Sequence, residues 1–298
     1  MRVFVTGATG FVGNHLVADL MDVGHDVVGL SRSESGAKRL TAAGVTAFVG
    51  NVNDLPRLRL AVQDVDAVVH TAFDHERPDS SEPSEDDRKV ITALGDVFAG
   101  TNRPIIVASG TGLVQSTTGG PVVESDRHAP SSVVARGASE EAAEALLDKG
   151  LKVMVVRLPQ VHDIRRQGRL RWHIEIARDR GYVAYIGEGG NRVPAVHVTD
   201  AARLFRLALE HGSIGARYHA VAEEGVTLRA IAEAIGNRLH LPVRSLAPED
   251  APEYFGWLAQ LAGLDLPASG TWTAKQLGWR PTGPGLLDDL RNAEDDGA

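Results

Sequence analysis

The chain has 298 residues, 43% hydrophobic and 23% charged, so it can bury a full core, and extensive disorder is excluded. Its formal charge of −8, with no dense run of lysine and arginine, argues against nucleic acid as a partner. There is no cysteine and no apolar run near the roughly 20 residues that span a bilayer, so we expect a cytoplasmic protein without disulfides, cysteine-ligated metals or a membrane partner.

Strand-like and helical patterns alternate along the first half of the chain. Strands are predicted at residues 3–6, 26–30, 47–49, 67–70, 105–108 and 153–157. Helices with apolar residues at three- to four-residue spacing are predicted near residues 14–23, 55–63, 86–99 and 132–149. This alternation is typical of βαβ units, so we predict an α/β fold of the Rossmann type with a doubly wound parallel sheet.

Residues beyond Pro159 follow a different pattern. Helices are predicted at residues 174–180, 199–210, 227–238 and 254–261, and a strand at residues 217–221 indicates a return to the sheet. We therefore predict a nucleotide-binding domain, residues 1–163 with return segments at about 193–222, and a smaller discontinuous C-terminal substrate domain, residues 164–192 and 223–298. Four rings of this second part either cover the substrate or form its core: Trp172, His173, Tyr182 and Tyr185.

A glycine-rich segment, residues 6–13 (TGATGFVG), joins the first predicted strand to the first helix. In this context Gly7 permits a tight turn, Gly10 lets the backbone approach a pyrophosphate, and Gly13 allows close packing of the helix. The N–H groups at the helix N-terminus then attract the phosphates. The segment predicts a dinucleotide site; the alternative is a glycine-rich turn that holds no ligand.

Ser31, Arg32 and Ser33 stand about 20 residues further on, where an acidic residue would bind the adenosine ribose of NAD. A carboxylate there would repel a 2′-phosphate, whereas an arginine pairs with it and the serines add donors. Lys38 is a weaker second cation. The sequence therefore predicts NADP; the alternative is that Arg32 is an ordinary solvated side chain.

Further motifs occur in the order and spacing of a known family. They are residues 50–54 (GNVND), 70–72 (HTA), 109–111 (SGT), 157–159 (RLP), 196–200 (VHVTD) and 277–281 (LGWRP). Together with the glycine segment they resemble an atypical or extended short-chain dehydrogenase/reductase of the NAD-dependent epimerase/dehydratase group. The resemblance covers nearly the whole chain.

We thus expect the cofactor to lie along the carboxyl edge of the sheet, where open α/β folds bind ligands. The contacts predicted from the turn and the second strand are Gly7, Thr9, Gly10, Phe11, Val12, Ser31, Arg32 and Ser33. The resemblance adds Asn51 and Val52 at the adenine, Thr71, Ala72 and Phe73 after the fourth strand, Ser109 beside the nicotinamide and Pro159 after the sixth strand. His197 is interpreted as structural, since it precedes Thr199 at the start of a helix.

The chain departs from the family at its proton relay. The family uses a tyrosine followed four residues later by a lysine, whereas this chain has Arg136 and Glu140 and no tyrosine before Tyr182. An arginine stays protonated and cannot serve as an ordinary general acid. Either these two residues form a helix ion pair, or Glu140 binds the nicotinamide ribose while Arg136 orients an anionic or carbonyl-bearing substrate.

Other side chains are candidates for the chemistry. Ser109 and Thr111 carry hydroxyls at the end of the fifth strand, and His162 follows the sixth strand at a height that would face the crevice. The alternative for each is a local structural role. No spacing of His, Asp and Glu resembles a metal site.

The leading hypothesis is an NADP(H)-dependent oxidoreductase that transfers hydride to or from a small organic carbonyl or imine-type substrate. Because the usual relay is missing, the alternative is a non-catalytic NADP-binding sensor or regulatory protein. An epimerase or dehydratase ranks third, since it needs a proton-transfer group that the sequence does not supply. The helices near residues 86–99 and 132–149 would pair in a possible homodimer.

Overall fold

Apolar strands and amphipathic helices alternate through the computed structural model, which describes residues 1–74, 81–116 and 119–293. The strands are β1 (Arg2–Thr6), β2 (Asp26–Ser31), β3 (Thr46–Val49), β4 (Ala67–His70), β5 (Ile105–Gly110), β6 (Val153–Leu158), β7 (Gln160–His162), β8 (Val183–Ile186), β9 (Arg192–His197), β10 (Arg217–His219), β11 (Glu223–Thr227) and β12 (Val243–Leu246). The helices begin with α1 (Phe11–Asp22), α2 (Glu34–Ala42), α3 (Leu55–Ala61), α4 (Glu82–Phe98), α5 (Ala138–Asp148), α6 (Leu170–Arg180) and α7 (Val198–His211). They are followed by α8 (Leu228–Leu239), α9 (Ala251–Phe255), α10 (Ala259–Ala262), α11 (Thr271–Leu277) and α12 (Leu286–Asn292).

Seven parallel strands form the main sheet in the order β10-β6-β5-β4-β1-β2-β3. Their near-continuous runs of valine and isoleucine suit strands that helices cover on both faces. One buried cluster packs α1 and α7 against the sheet, and a second packs α3, α4 and α5 against the opposite face. The predicted Rossmann-type, doubly wound α/β fold is confirmed.

The smaller part is built from β8, β12, α6, α8 and α12 around its own apolar cluster. Trp172 and Tyr182 pack against a neighbouring cluster with α9 and α10, so these rings belong to its core. The predicted division of the chain stays a prediction. Leu277 and Trp279, which that division assigns to the smaller part, lie in the core of the main sheet.

Two sequence expectations about local structure are wrong, and a set of short strands is missed. The helix predicted from residue 132 begins at Ala138, and a 3₁₀ turn, Ala135–Gly137, precedes it. The helix predicted at residues 254–261 is two short helices with a 3₁₀ turn between them. The sequence also predicts none of the short strands β7, β8, β9, β11 and β12, because three- to six-residue strands outside the main sheet carry little periodicity.

The turn between β1 and α1 packs directly on the helix that follows it. Gly7 adopts a left-handed conformation (φ +67°), and its carbonyl accepts a hydrogen bond of 2.8 Å from the N–H of Gly10. A Cβ on Gly13 would lie 2.1 Å from the oxygen of Gly7, far inside van der Waals contact. The chain therefore needs glycine at both positions, and the close approach fixes the start of α1 over the end of β1.

We expect Gly13→Ala to destabilise the protein by about 1–3 kcal/mol, because the turn and helix must separate to admit the methyl group. Helix propensity alone favours alanine by about 1 kcal/mol, so a net decrease in the free energy of unfolding can be assigned to the steric effect. Gly190→Ala is the matched control, since a Cβ at that position would meet nothing within 4 Å. Urea denaturation measures both; equal stability of the two variants would contradict the packing argument.

Candidate functional site

The glycine turn leaves the first N–H groups of α1 open at the carboxyl edge of the sheet. Gly10 is the N-cap, no side chain among the described residues caps the helix, and its first turn carries no acidic residue. A Cβ on Gly7 would fall 2.8 Å from the N of Ala72, so the turn also sits tightly against the residues after β4. An uncapped helix start beside a tight backbone turn fits the pyrophosphate of a dinucleotide.

The residues after β2 include the expected exposed arginine, but Ser31 does not face a ligand as predicted. Arg32 is exposed, and in the described chain its guanidinium has no hydrogen-bond or ion-pair partner. Ser33 is the N-cap of α2, accepting from the N–H of Gly36 at 3.1 Å. Ser31 is 1% exposed and donates to the carbonyl of Ser33, so its hydroxyl stabilises the turn and is not presented to a ligand.

The remaining predicted cofactor contacts follow neighbouring strands along the same edge. Asn51 is exposed after β3 and closes its turn by accepting from the N–H of Asn53 at 3.0 Å. The hydroxyl of Thr71 donates to the carbonyl of Thr6 at 2.7 Å, which ties β4 to β1. The others stand beside them in partly buried positions: Thr9, Phe11, Val12, Val52, Ala72, Phe73 and Pro159.

A buried polar chain runs beneath this edge. Thr6 Oγ1 lies 2.7 Å from His70 Nδ1, and His70 Nε2 lies 2.8 Å from Asp87 Oδ1. Burial alone would raise the pKa of Asp87, but the charge of Arg136 and the hydrogen bonds from His70 and Ser139 outweigh it and hold that pKa below its usual value. With Asp87 ionised, His70 donates from Nε2 and accepts the Thr6 hydroxyl at Nδ1. This series of hydrogen bonds fixes the ends of β1 and β4 relative to α4.

Arg136 is held at the edge by Asp87. Its Nη1 donates to Asp87 Oδ2 at 2.7 Å, its Nη2 donates to the carbonyl of Ala108 at 3.0 Å, and Ser139 contacts the same group. The guanidinium carbon stands 3.8 Å from the centroid of the Phe73 ring, and the side chain is 19% exposed. A fixed and partly accessible cation therefore lies between the ends of β4 and β5.

Glu140 faces the other way and is fully buried. Arg157 donates to both of its carboxylate oxygens at 2.8 Å, and Arg217 and Ser109 donate to them at 3.2 and 2.6 Å. Burial alone would raise the pKa of Glu140, but the hydrogen bonds and charge of Arg157 lower it below the usual value. Of the two alternatives for these residues, the ion pair with Arg136 is wrong in the described part of the chain, and other protein donors already bind both carboxylate oxygens of Glu140.

The other catalytic candidates are also engaged or enclosed. The Ser109 hydroxyl donates a hydrogen bond to Glu140, and Thr111 is 4% exposed at the start of a 3₁₀ turn, so the structure gives neither hydroxyl an open face. His162 is fully buried and lies 2.7 Å from Asp289 Oδ2. Burial lowers the pKa of His162 despite that carboxylate, so the ring is a neutral part of the core and does not face the crevice.

His197 has the structural role expected of it. It is the N-cap of α7, and its Nδ1 lies 2.8 Å from the hydroxyl of Thr199. His219 is a further buried imidazole, for which the sequence gives no signal. Burial lowers the pKa of His219 to about 4, so it stays neutral beside Arg157, whose Nη1 donates to its Nε2 at 3.3 Å.

Sequence reasoning misses the partners that fix this edge. Arg157 belongs to one of the family motifs but receives no role there, although an arginine inside the apolar run of β6 requires a buried carboxylate. Asp87 and Arg217 give no comparable signal, because charged residues are ordinary on a helix and at a sheet edge. Their roles follow only from which elements the fold brings together.

Comparison with known proteins identifies the family. A family model described as NAD dependent epimerase/dehydratase family matches residues 3–221. The chain belongs to this family.

Some relatives match this chain over almost its whole length. An uncharacterised protein of Schizosaccharomyces pombe is 42% identical over 97% of this chain and 98% of its own, and one of Saccharomyces cerevisiae is 36% identical over 98% of each. A dTDP-glucose 4,6-dehydratase of Streptomyces venezuelae, solved with NAD bound, superposes with a TM-score of 0.79 at 21% identity, covering 98% of this chain and 95% of that one. The predictions of an oxidoreductase-type enzyme and of a nicotinamide dinucleotide cofactor are confirmed at the level of the family.

Metal sites and membrane spans are both missing from the described part of the chain. Among the described residues, no group of three or more His, Asp or Glu side chains is arranged to hold a metal ion. Within residues 1–74, 81–116 and 119–293, no helix combines the length and apolar character needed to cross a membrane.

We expect Glu140→Gln to lower the free energy of unfolding by about 3–5 kcal/mol, since it leaves Arg157 buried without a countercharge. Glu144→Gln is the control: Glu144 also contacts Arg217 but its side chain is 42% exposed, and we expect a loss below about 1 kcal/mol. Urea denaturation at pH 7 compares the two. Equal losses would show that the buried pair is not what holds α5 to β6.

Proposed function

We propose that this protein is an NADP(H)-dependent oxidoreductase that transfers hydride to or from a small organic carbonyl or imine-type substrate. When bound, the dinucleotide supplies or accepts the hydride. One observation carries the proposal: a guanidinium fixed by Asp87 at the edge between β4 and β5. The resemblance predicts that this residue, Arg136, stands in the place of the family's tyrosine.

The cofactor preference rests on Arg32. It is an exposed arginine without an acidic partner in the described chain, and Ser33 and Lys38 stand nearby on α2 and its cap. In this proposal Arg32 pairs with the 2′-phosphate of NADP, while the glycine turn receives the pyrophosphate through backbone N–H groups. A ribose-binding carboxylate is absent from this position, which removes the usual means of preferring NAD.

The substrate role falls to Arg136. Its side chain stays 19% exposed while Asp87 and the carbonyl of Ala108 hold the guanidinium in place, so in this proposal it binds a carbonyl oxygen or a carboxylate without reorganising. A cation here stabilises negative charge that develops on the oxygen or nitrogen, which favours transfer of hydride to the carbon of a C=O or C=N bond. Since an arginine does not release its proton, any proton for the product comes from water or from the substrate itself.

The candidate catalytic set is thereby narrowed. Glu140 and Ser109 support Arg157 and position β5 against α5, and the contacts of these two residues make them positioning groups in the proposal. Thr111 is enclosed at the start of its 3₁₀ turn, so the proposal gives it no role in the chemistry. The homodimer through α4 and α5 stays a prediction.

For the cofactor, we expect Arg32→Gln to raise the Kd for NADPH by about 10- to 100-fold, the loss of one charge-assisted phosphate contact, and to leave the Kd for NADH within about twofold. Arg39→Gln, at the last turn of α2, is the control and should change neither value. Isothermal titration calorimetry measures the Kd of both dinucleotides for the unaltered protein and for each variant. Tighter binding of NADH than NADPH by the unaltered protein would refute the NADP preference.

For the chemistry, we expect NADPH oxidation with some member of a panel of ketones, aldehydes, enones and imines. Arg136→Leu should raise the KM at least about tenfold with a smaller effect on the Kd for NADPH, and Arg136→Lys should recover part of it. Circular dichroism and urea denaturation control for folding, because the leucine leaves Asp87 with only His70 and Ser139. Unchanged kinetics would reduce Arg136 to a structural partner of Asp87, and tight binding without turnover would favour the sensor.

A further inference from the structure

The loop after β7 is folded tightly around Asp163. Its Oδ1 accepts from the N–H groups of Arg165 and Arg166 at 2.7 and 2.5 Å, and its own N–H donates to the carbonyl of Arg166 at 2.9 Å. The side chain of Gln167 donates back to the carbonyl of Asp163 at 2.5 Å. These backbone groups are thus directed into the loop, while the side chains of both arginines are exposed.

The base of the loop is fixed to the strand that it leaves. Gln160 Nε2 donates to the carbonyl of Gln167 at 2.6 Å, and Gly168 adopts φ +50° where a Cβ would fall 2.5 Å from the carbonyl of Val161. No larger residue fits at Gly168 without moving the loop. The position of the loop relative to the sheet edge is therefore set by packing.

This loop places Arg166 over the start of α1. The guanidinium carbon of Arg166 lies 5.8 Å from the centroid of the Phe11 ring, and His15 contacts the same ring edge-on with the centroids 6.1 Å apart. Phe11 is the first residue of α1, in the turn whose N–H groups are uncapped. Arg166 is exposed and, in the described chain, has no carboxylate within ion-pair distance.

We propose that Arg166 binds the pyrophosphate of the bound dinucleotide as a side-chain donor beside the glycine turn. The inference rests on the proposed function, because it requires a dinucleotide in that turn. The uncapped N–H groups supply partial charges along the backbone, and Arg166 supplies a full charge from the loop after β7. The cofactor then also contacts the loop that leads into α6, which makes Arg166 the link between the nucleotide and the smaller part.

The test compares Arg166→Met with Arg171→Met. Arg171 is also an exposed arginine over an aromatic ring, with its guanidinium carbon 5.2 Å from the Trp172 centroid, but it lies on α6 away from Phe11. Methionine keeps the aliphatic stem of each side chain. Calorimetry measures the Kd for NADPH, for NADH and for adenosine 2′-monophosphate, which carries no 5′-phosphate.

We expect Arg166→Met to weaken NADPH and NADH alike by at least about tenfold and to leave adenosine 2′-monophosphate unchanged. Arg171→Met should leave all three unchanged, and Arg166→Lys should recover part of the loss. This pattern differs from that expected for Arg32→Gln, which should raise the Kd only of ligands that carry a 2′-phosphate.

Dissociation constants within twofold of the unaltered protein would overturn the inference, and a raised substrate KM in that same variant would assign Arg166 to an anionic substrate instead. If the unaltered protein binds neither dinucleotide, both the proposed function and this inference about Arg166 are wrong. A thermal unfolding midpoint measured for each variant separates a local loss of binding from unfolding.

Discussion

The ion pair between Glu140 and Arg157 is the constraint around which the catalytic half of the sheet is arranged. Both side chains are fully buried, and each would be strongly unfavourable alone because charges removed from water lose their hydration. The bidentate contact, with Ser109 and Arg217 adding donors, satisfies the carboxylate completely. Since Glu140 lies on α5, Arg157 on β6 and Ser109 on β5, three elements are fixed by one buried charge.

The same pair gives a physical reason for a glutamate, where the resemblance predicts the family's lysine. A lysine in the position of Glu140 would place a second cation beside Arg157 in a dry environment. The glutamate instead neutralises Arg157 and turns away from the edge. The charge that faces the edge is then that of Arg136, whose partner Asp87 lies on α4 and is itself fixed through His70 to Thr6. Arg136 and Glu140 therefore belong to two separate networks of hydrogen bonds.

The fold and the cofactor edge could be predicted from the sequence because their signals are local. Strands rich in valine, three glycines at defined spacing and an arginine after β2 are all recognised within a few residues. The partner of Arg136 gives no such signal: i, i+4 spacing favours Glu140, but a 3₁₀ turn precedes α5, and Asp87 is 49 residues away. His162 likewise ends a strand at the expected height, yet the sheet of β11, β9 and β7 encloses it and Asp289 of α12 pairs with it. Such contacts arise only when distant elements fold together, so no local pattern marks them.

Charge distribution connects these observations. The whole chain carries −8, which would repel a phosphate at long range, yet Arg32 and Arg166 are exposed at the carboxyl edge without acidic partners in the described residues. At the Debye length of about 8 Å in physiological salt, a bound anion experiences these nearby guanidinium groups far more than the acidic surface beyond them. Net charge therefore argues against an extended polyanion but not against a small phosphate ligand, and it is the local field of the edge, added to the uncapped start of α1, that selects what binds there.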